Sequence, residues 1–155
     1  MDREVSEIAS QIKKSFEGPC WHGPGVWKVL EGVTAAQAAQ KPLPEAHSIW
    51  ELLMHVVTWE RAVLRGIRGG VAQLENEENF PSPKQATESE WRQAISTASS
   101  LHAELCEAVA RLTDAGLDGV VKGQDDDYTL RVMLYGAVHH ALYHAGQISL
   151  LRKGL

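Results

Sequence analysis

Apolar residues recur with helical spacing in four stretches of this chain. In the first, Val5, Ile8, Ile12 and Phe16 fall three or four residues apart. The second, about residues 48–69, carries Leu52, Val56, Trp59, Val63 and Ile67 on one face. The third, about residues 88–112, carries Trp91, Ile95, Ala98, Leu105, Val109 and Leu112. The fourth, about residues 130–153, carries Met133, Leu134, Ala137, Ala141, Ile148 and Leu151. A helix repeats every ~3.6 residues, so each set forms a stripe that needs burial. No stretch alternates with the two-residue period of a strand over a useful length. The pattern predicts an all-α four-helix bundle formed by one domain over residues 1–155.

Local chemistry marks the helix starts. Ser48-Ile49-Trp50-Glu51 has the form of a capping box, in which a hydroxyl and a carboxylate three residues later satisfy free amides. Thr87-Glu88-Ser89-Glu90 repeats it, and Thr34-Ala35-Ala36-Gln37 opens a short helix in the first connection. Thr129 or Asp127 can cap the fourth helix, and Asp125 to Asp127 suit its positive end. Gly69-Gly70 and Gly154 mark stops. The connections 18–47, 70–87 and 113–128 are long and rich in Gly or Pro, so they allow crossovers between helices.

Composition narrows the function. The formal net charge is −5, and the basic residues form no cluster larger than a pair such as Lys13-Lys14. That argues against nucleic acid, whose binding rests on phosphate neutralisation, and against anionic membrane surfaces. No apolar run approaches the length of a membrane span, and Met1-Asp2-Arg3-Glu4 does not read as a signal peptide. Two cysteines, Cys20 and Cys106, do not make a disulfide framework, which predicts a cytoplasmic protein with reduced thiols.

Three histidines fall on the apolar stripes: His55 on the second helix, His140 and His144 on the fourth. The latter two share a helix face, with Cβ atoms about 6 Å apart. A lone inward histidine is most simply a hydrogen-bonded core residue. Three of them need partners, because each unpartnered buried polar ring costs about 1–3 kcal/mol. A shared divalent metal supplies one; hydrogen bonding within the core is the alternative. Ala141 and Leu142 follow His140, so there is no His-Glu-x-x-His zinc-protease helix, and no Glu-x-x-His di-iron pattern stands nearby. Three nitrogens with open positions suit one catalytic metal better than a closed structural site.

The other candidates rank lower. His102 lies on the third stripe, as a polar core residue or an outlying member of the site. His139 points about 100° from His140, and His22 and His47 read as structural. Gly146 inside the fourth helix suggests close approach of a helix or ligand, and Gln147 suggests a hydrogen bond near the metal or, more simply, across a helix interface. Cys106 reads as a small core residue, and nothing near Cys20 activates its thiol. Trp50 and Trp59 read as core, and Asp125-Asp126-Asp127 lacks the glycine and distal glutamate of a calcium loop.

Two segments carry a family resemblance. His47-Ser48-Ile49-Trp50-Glu51-Leu52-Leu53-Met54-His55-Val56-Val57-Thr58-Trp59 resembles the second helix of DinB-like (YfiT-type) proteins. His140-Ala141-Leu142-Tyr143-His144-Ala145-Gly146-Gln147-Ile148 resembles their last helix. With Trp21-His22-Gly23-Pro24 and the helix spacing, the resemblance spans nearly the whole chain. It implies a four-helix bundle with long crossover connections, a divalent metal on His55, His140 and His144, and a homodimer. Zinc is the first metal to expect and nickel the next, since imidazole suits both. It also implies a metal-dependent thiol-S-transferase that joins a low-molecular-weight thiol to a small electrophile. A metal-dependent hydrolase, a non-catalytic metal-binding stress-response module and a metal-free bundle are the alternatives. No general base is identified; His102 and an outlying water are the weak candidates.

Overall fold

The computed structural model describes residues 3–74, 79–123 and 126–155. Four long helices form the body: α1 (Arg3–Glu17), α4 (Ile49–Ile67), α5 (Glu88–Ala110) and α6 (Leu130–Leu151). Two short helices, α2 (Val26–Leu30) and α3 (Ala35–Ala39), lie in the first connection. A two-residue hairpin, β1 (Val120–Val121) with β2 (Tyr128–Thr129), precedes α6. All four stripes produce helices within about two residues of the expected ends. Too short to show a period, α2 and the hairpin are absent from the sequence reading.

Both α1 and α4 pack against α5 and α6. One diagonal of the bundle is therefore α1 with α4, and the other is α5 with α6. Residues 18–48 cross the first diagonal and 111–129 cross the second, while α4 and α5 are neighbours. The expected crossovers are thus real, and they need the length that the Gly- and Pro-rich connections supply.

Most caps behave as the residues dictate. Ser48 Oγ accepts from Glu51 N–H at 3.2 Å, and Glu51 Oε2 accepts from Ser48 N–H at 2.9 Å. Thr34 and Gln37 make the same reciprocal pair. Thr87 accepts from Glu90 N–H, but the Glu90 carboxylate accepts from Gln85 N–H at 2.9 Å, so this box is half formed. Thr129 caps α6 through Val132 N–H, while Asp127 pairs with Lys122. Asp125 lies outside the described residues. Gly69, at φ +84°, takes the left-handed conformation that ends α4.

The core has two apolar halves. One gathers Phe16, Trp50, Leu53, Trp91 and Ile148; the other gathers Val5, Ile8, Leu64, Leu105 and Leu134. A polar layer divides them. On α4 it is Glu60, between Val57 and Val63; on α5 it is His102, between Ala98 and Leu105; on α6 it is His140, between Val138 and Ala141. Among the described residues, no helix is long and apolar enough to cross a membrane.

Candidate metal centre

His55 comes from α4, and His140 and His144 come from successive turns of α6, the helix that packs beside it. The ligand atoms of the three rings lie within 4.8 Å of one another. His140 Nε2 stands 2.9 Å from His55 Nε2 and 3.1 Å from His144 Nε2. The sequence-predicted site residues are therefore brought to one point.

Outer partners determine which nitrogens face inward as bases. His55 Nδ1 lies 2.7 Å from the Asn79 carbonyl oxygen, so it carries the proton and donates. His144 Nδ1 lies 2.6 Å from Gln147 Oε1 and donates likewise. In the neutral rings both Nε2 atoms are then lone pairs aimed at His140. The His140 Nε2 can hold one proton and satisfy one of them, which leaves nitrogen lone pairs facing each other. A cation satisfies all three. Two nitrogens each about 2.05 Å from one ion are roughly 2.9–3.4 Å apart for angles of about 90–110°. Both separations from His140 fall in that interval, and with the three ligand atoms inside 4.8 Å a small closing movement of the outer rings lets all three reach one divalent ion.

Burial disfavours the charged form of each ring. Desolvation pushes His140 down to about 3, with the neighbouring His144 and His55 adding to the effect. His55 and His144 are also lowered, chiefly by desolvation. Neutral imidazole is the form that ligates a metal.

Packing fixes the ring of His55. The Phe80 ring stacks on it at 3.9 Å between centroids, and His47 stacks on the other face of Phe80 at 3.6 Å, both nearly parallel. Trp59 Nε1 donates to Asn79 Oδ1 at 3.1 Å. The segment is tied down by Glu51, whose Oε1 accepts from Ser82 Oγ at 2.7 Å and whose Oε2 meets Lys41 at 3.0 Å. Burial raises the Glu51 carboxyl, but the bonds from Ser82, Ser48 N–H and Lys41 outweigh it and hold it at about 2. One buried carboxylate thus starts α4 and anchors the loop that orients His55.

Two cavities border the triad. On the His140 side, a cavity of about 330 Å³ lies between α4 and α6, walled by Val56, Trp59, Val63 and Met133. On the His144 side, one of about 410 Å³ is bordered by Glu45, His47, Phe80, Tyr143 and Gln147.

His102 is not part of the triad. Its Nδ1 lies 2.8 Å from Glu60 Oε1 and its Nε2 lies 3.5 Å from Cys106 Sγ, while its ring stacks on Phe16. Desolvation opposes its charge, but the hydrogen bonds to Cys106 and Glu60 outweigh that and raise it to about 9. His22 and His139 are exposed. Trp50 packs on Trp91 in the core, whereas Trp59 walls the His140 cavity. No helix makes the close approach expected at Gly146: a Cβ at that position would meet nothing among the described residues within 4 Å. Gln147 serves the site, contrary to the simpler reading of it as an interface residue. The sequence reading missed Glu60, Asn79 and Phe80. Glu60 had a signal: it follows Val56 by four residues and precedes Val63 by three, so it falls on the α4 stripe.

These features coincide with a known family. The DinB superfamily model matches residues 24–148, and the chain belongs to that superfamily. Solved structures share its fold at low identity. A conserved protein from Enterococcus faecalis matches with a TM-score of 0.75 and 16% identity, covering 99% of this chain and 97% of that one. A DinB-like protein from Bacillus cereus ATCC 10987 matches with a TM-score of 0.69 and 18% identity, covering 96% and 89%. The colibactin self-resistance protein ClbS, solved with double-stranded DNA, matches with a TM-score of 0.61 and 18% identity, covering 96% and 95%. No curated protein matches the chain.

Two measurements check this geometry. Protein purified without chelators and dialysed against zinc should hold about one ion per chain by elemental analysis. H144A should lose most of it, and Q147L should weaken affinity by about 10–100-fold, the usual cost of an outer partner. Full occupancy in H144A would rule the site out.

The second concerns His102. Its folded value lies above the ordinary 6.5, so its contribution to stability is complete below about pH 6.5 and disappears as pH rises through about 9. The Tm gap between wild type and H102Q should therefore narrow across that interval. The triad titrates in both proteins and cancels. A constant gap would mean that the imidazole is not held protonated.

Proposed function

We propose that His55, His140 and His144 hold one divalent ion, zinc first and nickel next, in a thiol-S-transferase that joins a low-molecular-weight thiol to a small electrophile. The observation that carries this reading is the pair of cavities bordering the triad, one beside His140 and one beside His144. A two-substrate transfer needs two such sites meeting at one point, whereas hydrolysis needs one site and a water. The cavity beside His144 has polar groups from Glu45, His47, Tyr143 and Gln147, which suits a small polar thiol. The cavity beside His140 is mainly apolar, which suits the electrophile.

A cation in contact with a thiol favours its thiolate form. The S–H proton leaves to solvent, a sulfur–carbon bond forms, and the electrophile's leaving group departs as an anion. The chain's contribution is to place the two reactants at the triad and to exclude water from the apolar side. Phe80 and Asn79 hold His55 still while this happens, and Gln147 does the same for His144.

The DNA seen with one structural neighbour is not carried over. Twenty acidic residues face fifteen basic ones here, which opposes phosphate contact. We also propose a homodimer through the outward face of α6. Val132, Tyr143 and Leu150 are exposed there, and the helix carries no charged residue between Arg131 and Arg152. A second copy presents the same uncharged face, so joining the two desolvates no charge.

A conjugation assay decides the activity. Metal-loaded protein should join bacillithiol or mycothiol to monochlorobimane or chlorodinitrobenzene, and stripped protein or H144A should fall at least about 100-fold. Metal-dependent ester cleavage without conjugation would favour the hydrolase, and no turnover would favour the non-catalytic module. Light scattering should give twice the 17.1 kDa chain mass, and L150E should return the single-chain mass. A wild-type single-chain mass at about 100 μM would remove the dimer, since a specific interface of ordinary size holds well below that concentration.

A further inference from the structure

Glu60 uses one carboxylate oxygen and leaves the other unused. Oε1 accepts from His102 Nδ1–H at 2.8 Å, while Oε2 is buried with no hydrogen-bond partner among the described residues. The residue is 6% exposed, and a buried acceptor without a donor is costly. Glu60 also lines the apolar cavity that His140 borders, together with Trp59, Val63 and Met133. Glu60 thus reaches the wall of an apolar cavity while one of its carboxylate oxygens, itself covered, meets no donor among the described residues. A few fixed polar groups in a mostly apolar hollow are the usual make-up of a small-molecule site.

We propose that this cavity binds an apolar small molecule bearing one neutral hydrogen-bond donor, a hydroxyl or an N–H, which Glu60 Oε2 accepts. The donor is neutral because His102 already meets Oε1 at 2.8 Å and burial raises the Glu60 carboxyl, so the site disfavours any further charge. A cationic ligand would add an uncompensated charge to a buried site. At about 330 Å³, and about 30 Å³ for each water-sized group, the cavity accommodates on the order of eleven non-hydrogen atoms. An alkylphenol or a hydroxylated aromatic electrophile is of that size. The inference rests on the proposed function only in assigning this cavity to the electrophile. Binding itself requires neither metal nor thiol.

The test is calorimetric titration of the full chain, metal-free and zinc-loaded, with three probes: para-propylphenol, its methyl ether, and propyl phenyl ketone. Wild type should bind the phenol about tenfold more tightly than the ether, the value of one hydrogen bond to a buried acceptor. In E60Q the amide oxygen keeps the bond from His102 and the amide N–H₂ replaces Oε2. The order should then reverse, with the ketone gaining and the phenol losing about tenfold. Gly136 lines the same cavity on open backbone, so G136L should abolish binding of all three probes. Equal affinity of wild type for phenol and ether overturns the proposal. So does an unchanged order in E60Q, or binding that survives G136L. Should E60Q not fold, the wild-type comparison decides alone. Loss of conjugation activity with probe selectivity intact would count against the transferase reading and leave this one standing.

Discussion

Three neutral imidazoles with their lone pairs turned to one point form an arrangement that resists closure unless something positive stands among them. Asn79 and Gln147 impose this on His55 and His144, because each accepts a hydrogen bond from Nδ1–H and leaves Nε2 as the base. The rest of the chain can be read as scaffolding for that convergence. Stacked Phe80 holds one ring, adjacent turns of α6 set the spacing of the other two, and Glu51 anchors the loop over them. Desolvation then lowers all three rings and so disfavours their protonated form.

A second constraint runs through the middle of the bundle. Glu60, His102 and His140 interrupt an otherwise apolar core, and such a layer costs stability relative to a hydrophobic one. Its members are partly repaid by each other: His102 by Glu60 and Cys106, and His140 by the two other rings. One oxygen is left over. That arrangement separates the two apolar halves and puts polarity where a cavity meets the triad.

Helix existence and extent were legible because burial enforces a period, and Val5, Ile8, Ile12 and Phe16 are all buried as their spacing requires. The three histidines were legible for the same reason, since inward imidazoles on two stripes stand out against aliphatic neighbours. Asn79 and Phe80 were not, because a loop has no period and their role depends on where the chain passes after α4. Glu60 was readable from its spacing, but a single carboxylate on a stripe says nothing about its partner until α5 is placed. The half-formed box at Thr87 shows the same limit: the motif fits locally, and Gln85 takes the carboxylate instead. Gly146 misled in the opposite direction, since its lack of a side chain meets open space rather than a close neighbour.

The diagonal crossovers have a consequence for how the chain assembles. His55 and His140 are 85 residues apart in sequence, with all of α5 between them. An ion bound to both acts as a cross-link that closes a long loop, and the entropy of that closure must be met by packing before the ion can be gripped. Occupancy would therefore report on the docking of α4 against α6, and the grip would be lost as soon as the two helices part.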